Sequence, residues 1–289
     1  MKAMPFAYAR ADSLGHAFSL WAQAGPDARL LAGGQSLLAG LSLRLTDTPA
    51  LIDINHLADL SGVIDLGDAI RVGALTRHAQ LALDPLIAEH APAIAQAAPL
   101  IAHPAIRTRG TIGGSLAYAD PAAELPACVV ALEATIIAQS ERGERRIAAA
   151  DFFHGLYETA LAPFEMITAV EIPKARNRRQ AILELSRRSG DYAIAGMVIT
   201  AEPAGADLRD VRLVYFAVGN APVVAERAMA ALNRGDVEAA QAALDLDLDP
   251  PGDLQGGPHT KRHLSRILLR RGLDALRADF VTPGKKHDQ

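Results

Sequence analysis

A single cysteine, Cys128, is all the thiol chemistry the chain has. One thiol cannot close an internal disulfide, complete a zinc cage or hold an iron–sulfur cluster. Its neighbours Ala127, Val129 and Val130 are apolar, so the residue reads as a buried structural thiol, and the chain suits a reducing compartment. Charge of one sign is lacking too. The formal net charge is −4, which gives no electrostatic reason to expect nucleic acid. No long apolar run precedes Arg10 and Asp12, so no secretory signal is read there. The longest apolar stretch, from Leu125 towards Ala138, is interrupted by Glu133 and is too short to span a bilayer. A soluble, cytoplasmic protein is the expectation. His78, His90, His154 and His259 are scattered without metal-ligand spacing, so no metal is assigned. The chain has neither the three-glycine dinucleotide fingerprint nor a Walker loop with its lysine. Ser36 and Ser115 lie outside any G-x-S-x-G elbow. No internal repeat is visible, and no catalytic residue is assigned.

What is present is a core. The chain has 289 residues, of which 50% are hydrophobic and 21% charged, enough for one large domain or two or three small ones. Arginine far outnumbers lysine, a bias of composition. Asp12 or Ser13 can cap a first helix carrying Leu14, Ala17, Phe18 and Trp21. Short strands follow at 28–31 and 51–54, with a helical or turn-like stretch from Leu37 to Leu45 between them. Gly67-Asp68 joins Val63–Leu66 to Ala69–Val72 as a hairpin. Thr76 can cap the next helix. One alanine-rich helix is expected from Leu86 towards Ile101, ending before His103-Pro104. Asp120-Pro121 reads as a helix start. A second hairpin pairs 135–138 with 145–148, and 166–172 is a strand closed by Pro173. A basic stretch from Lys174 to Arg179 reads as a linker or solvated turn. Three longer strands then cover 182–186, 193–200 and 211–218, with a turn at 205–207. Two helices follow at 223–233 and 237–244, then a final helix from about Thr260, with a disordered tail at 283–289. This order is α+β and not doubly wound.

Two glycine-rich stretches carry what chemistry can be read. Ala32-Gly33-Gly34-Gln35-Ser36 follows a strand and precedes a helical stretch, a geometry that aims N–H groups at an anion. Thr108-Arg109-Gly110-Thr111-Ile112-Gly113-Gly114-Ser115 is of the same kind. Each alone could be a tight turn that needs glycine. Together they suit a ligand with two phosphates held from both sides. His103 and Arg107 stand just before the second stretch, near a ligand, at a subunit face, or simply at a helix end. Asp120 and Glu124 either cap a helix or accept hydrogen bonds from a ribose or ribityl hydroxyl.

The motifs L-L-A-G-G-Q-S-L-L at 30–38 and I-R-T-R-G-T-I-G-G-S-L-A-Y-A-D-P-A-A-E-L-P at 106–126 resemble the flavin-binding medium subunit of the molybdenum hydroxylases, the xanthine dehydrogenase and aerobic carbon monoxide dehydrogenase family. R-R-S-G-D-Y-A-I-A-G at 187–196 and H-T-K-R-H-L at 259–264 look like further elements in the family's order. The resemblance implies a PCMH/vanillyl-alcohol-oxidase-type FAD-binding domain at 1–175, with subdomains at about 1–55 and 56–175. A C-terminal α+β domain at 176–282 would follow, built on a three-stranded antiparallel sheet with helices. It implies that Ala32, Gly33, Gly34, Gln35 and Ser36, with Thr111, Ile112, Gly113, Gly114 and Ser115, hold the FAD pyrophosphate. Glu124 becomes a further FAD contact, Ile167 lies near the adenine, and Tyr192 lies near the isoalloxazine ring. Gln35 stands where histidine is common, Thr108 where asparagine is common, and Leu183-Glu184 where relatives often carry a lysine. The implied role is electron transfer from a small [2Fe–2S] subunit through FAD to an external acceptor. A large subunit with the molybdenum cofactor would oxidise the substrate, in a dimer of heterotrimers. A stand-alone FAD oxidoreductase and a nucleotide-binding assembly protein of the same fold are the alternatives. Gly114→Val is expected to abolish flavin retention by blocking the phosphates and resisting a positive φ.

Overall fold

The computed structural model describes residues 2–174, 177–205 and 207–278; the expected tail at 283–289, and parts of the basic stretch and of the turn at 205–207, lie outside them. The chain opens with β1 (Ala7–Arg10), α1 (Leu14–Ala24), β2 (Arg29–Leu31), α2 (Leu37–Leu43) and β3 (Ala50–Asp53). The three strands form a parallel sheet in the order β1-β3-β2. Ser13 caps α1 by accepting from His16 N at 3.1 Å. Phe18 of the helix packs with Ile52 of β3 in a small core of its own.

The second unit runs through β4 (Val63–Asp65), β5 (Ala69–Gly73), α3 (His78–Leu81), α4 (Pro85–His90), α5 (Pro92–Ala97), α6 (Pro104–Arg107), α7 (Ile112–Tyr118) and α8 (Glu124–Ala131). It closes with β6 (Thr135–Ser140), β7 (Gly143–Ala148), β8 (Phe153–Gly155), β9 (Glu158–Thr159) and β10 (Met166–Pro173). Its antiparallel sheet has the order β4-β5-β10-β6-β7, so both hairpins read from the sequence flank the one long strand β10. The expected single helix over 86–101 is two short ones. Pro92 lacks the N–H needed to continue a helix, and Ala91 before it has left helical geometry. Thr76 does not cap α3. Arg77 is the N-cap, joined by Gln80 in a capping box, while the buried Thr76 hydroxyl bridges the backbone of Gly62. Asp120-Pro121 does not open α8 either. Asp120 turns the chain by accepting from Ala122 N at 2.9 Å, and the helix begins at Glu124.

The third unit comprises β11 (Arg179–Ser186), β12 (Ala193–Ala204), β13 (Asp207–Phe216) and β14 (Val223–Val224), then α9 (Glu226–Leu232), α10 (Val237–Asp247) and α11 (Pro258–Ala278). The three expected long strands form an antiparallel sheet in chain order, and the two-residue β14 adds a fourth at the β13 edge. It takes the first two residues of the stretch expected to be helical, because both valines pair with Val214 and Tyr215. Along β12, Ala195, Met197 and Ile199 belong to the core shared with α9–α11. Ala193 and Val198 belong to the core around α5 and α8. The sheet is therefore covered on both faces, and α8 is buried from Leu125 through Ala131. Cys128 sits in that helix, fully buried, with its thiol pushed up by burial.

Candidate functional site

The first glycine loop, from Ala32 to Ser36, joins β2 to α2. Among the described residues, the amides of Gly33, Gly34, Gln35 and Ser36 donate to no protein acceptor. Gly34 has a φ of +72°, which glycine adopts at no steric cost. The Gln35 side chain folds back and donates to Gly33 O at 3.0 Å. A run of unpaired amides next to a helix start is an anion-binding arrangement.

The second loop differs from the expectation. Its amides are already bonded inside the protein: Ile112 N donates to Thr76 O at 3.1 Å, Gly113 N to Ala74 O at 2.8 Å, Gly114 N to Thr111 Oγ1 at 3.1 Å and Ser115 N to Thr111 O at 3.0 Å. Thr111 is the N-cap of α7, and Gly113 and Gly114 lie inside its first turn. Neither has a positive φ, so that part of the reason given for Gly114→Val does not hold. Gly113 is glycine because a Cβ would come within 2.6 Å of Ala74 Cβ. At Gly114 a Cβ would meet the capping Thr111 Oγ1 at 2.8 Å. The second loop offers a ligand close approach at exposed Gly114 and the hydroxyl of Ser115, not a row of free amides.

The two loops meet. A Cβ on Gly33 would lie 2.3 Å from Arg109 O and 2.8 Å from Gly110 Cα. A cavity of about 450 Å³ opens beside this contact, lined among others by Ala32, Gly33, Asn55, Arg77, Thr108 and Arg109. Asn55 donates from Nδ2 to Leu31 O at 3.1 Å, to Ala32 O at 2.9 Å and to Asp53 Oδ1 at 2.7 Å. Arg77 donates from Nη2 to Asn55 Oδ1 at 2.7 Å and from Nη1 to Arg109 O. Tyr8 donates to the other oxygen of Asp53 at 2.6 Å. Behind the second loop, His78 is buried with neither ring nitrogen in a hydrogen bond, and burial lowers its pKa to about 4. Its ring fills the space where a Gly110 Cβ would stand.

A second group of polar residues lies around the start of α8, within electrostatic reach of Glu184 on β11. Burial pushes Glu124 up to about 8, with the charges of Glu184 and Asp120 adding to it. Burial pushes Glu184 up to about 7, and its Oε2 is buried without a partner. Asp120, also raised by burial, lies beside the Tyr192 hydroxyl. That tyrosine is exposed, while burial of its hydroxyl and the nearby Asp120 raise it to about 12. Tyr118 and Tyr157 pack beside them at a tilt of 55°, with ring centroids 5.0 Å apart. Glu124 is thus a neutral carboxyl at neutral pH, able to donate as well as accept. Ile167 lies in β10 and is buried in the main core.

Asn55, Arg77 and Tyr8 were not marked by any motif. The one available signal was the polar Asp53-x-Asn55 run at the end of an apolar strand. His103 is the N-cap before α6 and Arg107 its last residue, and Arg107 donates to the carbonyls of Pro99, Ile101 and Ala102. That is a structural use of its charge. Among the described residues, no group of three or more His, Cys, Asp or Glu is placed to hold a metal ion, and no helix is long and apolar enough to cross a membrane.

Residues 4–175 match the family of the FAD binding domain in molybdopterin dehydrogenase, and residues 180–276 match the CO dehydrogenase flavoprotein C-terminal domain. The alpha subunit of the 6-hydroxypseudooxynicotine dehydrogenase complex of Paenarthrobacter nicotinovorans is 38% identical over 281 residues, 94% of this chain and 95% of that one. Carbon monoxide dehydrogenase from Hydrogenophaga pseudoflava, in a form lacking the Mo-pyranopterin moiety of its cofactor, superposes with a TM-score of 0.92 at 35% identity, covering 96% of this chain and 99% of that chain. Quinoline 2-oxidoreductase from Pseudomonas putida 86 superposes with a TM-score of 0.91 at 32% identity, covering 98% of this chain and all of that chain (100%).

Proposed function

The chain belongs to the FAD-binding subunit family of the molybdenum hydroxylases, and from that premise we propose which of its residues hold the cofactor and how it is assembled. It is a flavoprotein subunit of a dehydrogenase complex, with the iron–sulfur and molybdenum centres in partner subunits. FAD, when bound, supplies the means to receive electrons from one centre and pass them to another acceptor. This chain's residues bind and orient it.

In this reading the amides of Gly33, Gly34, Gln35 and Ser36 take the pyrophosphate on one side. On the other side Gly114 and Ser115 line it, chiefly by leaving room, with buried Thr111, Ile112 and Gly113 setting the turn behind them. The observation that carries the assignment is the unpaired amide run of the first loop, pressed at Gly33 against Arg109 and Gly110. Ala32 precedes that run, and Ile167 belongs to the strand behind the adenine end. Glu124, as a neutral carboxyl, hydrogen-bonds a hydroxyl of the ribityl or ribose. Tyr192, beside Asp120, faces the isoalloxazine ring. The chain divides at about 175, into an FAD-binding part with subdomains near 1–55 and 56–175 and a C-terminal part.

The complex is a dimer of heterotrimers in the cytoplasm, and the acceptor lies outside it. The relatives above are named for a nicotine derivative, carbon monoxide and quinoline, so substrate choice falls to the molybdenum partner. Purifying the full chain with its partners tests the whole reading. One FAD per chain, seen by its visible absorption, is expected. A folded, colourless chain that takes up no FAD when it is added overturns the reading.

A further inference from the structure

The first glycine loop follows β2 of the parallel sheet and the second joins α6 to α7, yet they touch at Gly33 and Arg109. A cradle made from two separate elements is only as good as the gap between them. Side chains that fix that gap act on any ligand held there through the loops they hold in place.

One chain of hydrogen bonds runs from loop to loop. Asn55 holds the first loop at its root, by donating to Leu31 O and Ala32 O. Its carbonyl accepts from Arg77 Nη2 at 2.7 Å, and Arg77 Nη1 donates to Arg109 O at the second loop. Asn55 is itself oriented, since Asp53 Oδ1 accepts from both its backbone N at 2.9 Å and its Nδ2 at 2.7 Å. Tyr8 pins the other Asp53 oxygen from the neighbouring strand. The amide orientation of Asn55 follows from this, because only the carbonyl end can face a guanidinium. The Arg77 fork is planar and reaches both joints at once, which an ammonium cannot do.

We infer that Arg77 and Asn55 are positioning residues that set the spacing of the two loops, through the Ala32–Asn55–Arg77–Arg109 link, and so preorganise the site for the diphosphate. The consequence for FAD rests on the cofactor reading above; the spacing does not. A preformed gap lowers the ordering cost of binding, so its loss shows as weaker affinity and not as a changed fold.

The test uses the full-length chain as Asn55→Ala, Arg77→Ala, Arg77→Lys and the double alanine variant. Release of FAD is followed by its fluorescence, and melting is measured alongside. Each alanine variant is expected to lose roughly tenfold or more in FAD affinity, as for a lost hydrogen bond to a charged group. Arg77→Lys is expected to recover only part, and ethylguanidine added to Arg77→Ala to restore binding. Breaking either joint removes the whole link, so the double variant should be no worse than the worse single one. Losses that add in the double variant, or affinity within twofold of the original in both singles, overturn the inference.

A spacing measurement covers the remaining cases. Spin labels on Leu38→Cys and Thr108→Cys, with buried Cys128 left unlabelled, should report one narrow separation that broadens in Arg77→Ala. An unchanged separation overturns the strut even in a chain that holds no FAD. An unvaried chain that holds no FAD but shows the narrow separation overturns only the cofactor reading.

Discussion

Gly33 and Glu124 carry the consequences at the scale of single residues. A methyl group at Gly33 would sit 2.3 Å from a backbone oxygen, where nothing flexible can yield. Gly33→Ala should therefore part the loops, at about 1–3 kcal/mol of stability, and lower the flavin-to-protein ratio seen by absorbance. An equal ratio would remove that contact from the site. Glu124 keeps its proton up to about 8 in the folded chain, against the ordinary 4.5. Between those values the folded state binds a proton that the unfolded state has released, so stability falls as pH rises through that window. Glu124→Gln removes the titrating group, and its melting temperature should fall less between acid and mildly alkaline pH than that of the original chain. Equal slopes would show that Glu124 is not held neutral. The glycines of both loops stood out in the sequence because glycine in a cluster has few other uses. What each glycine was for did not: Gly34 needs its positive φ, whereas Gly33 and Gly113 need close approach to distant backbone. Arg77 and Asn55 were silent for the same reason. Their meaning is a partner far along the chain.

At the scale of elements, the strands and hairpins were legible where apolar runs ended in turn residues, as around Gly67-Asp68. The misreadings share one cause, a local signal outweighed by a partner or by chain stiffness. Pro92 split an alanine-rich helix, and pairing with β13 drew Val223 and Val224 out of another. β12 and β13 also run beyond their apolar segments, because their hairpin continues into polar residues up to the pair Ala204 and Asp207. Within that sheet, Gly196 lies under the ring of Phe216, and a Cβ there would stand only 2.0 Å from Phe216 Cζ. Gly196→Ala should displace the ring from the core shared with α8, costing about 1–3 kcal/mol or more. Thermal or urea melting reads the loss, and an unchanged midpoint would show that the ring is free to move.

For the molecule as a whole, the third unit is not an appendage. One face of its sheet contributes Ile182, Val198, Val214 and Phe216 to the core that also contains α5 and α8. A chain cut after residue 174 would expose the apolar sides of those two helices, a patch of the kind that drives association. Such a fragment should come out aggregated in size-exclusion chromatography. A monomeric fragment with a cooperative melt would show that the first two units are self-sufficient. The change near 175 from alternating short strands and helices to a three-strand unit could be read from the order of elements, but this shared core could not, since it joins residues far apart in sequence.

One last asymmetry reaches solvent directly. Among the described residues, the first loop leaves four successive amides without a protein acceptor, while the corresponding amides of the second are already bonded. In heavy water the two should therefore behave oppositely: Gly33 to Ser36 trade their protons rapidly until a nucleotide arrives and then slow sharply, whereas Ile112 to Ser115 are slow from the outset and change little. The ligand-free chain thus meets its cofactor with one wall already set and the other still wet.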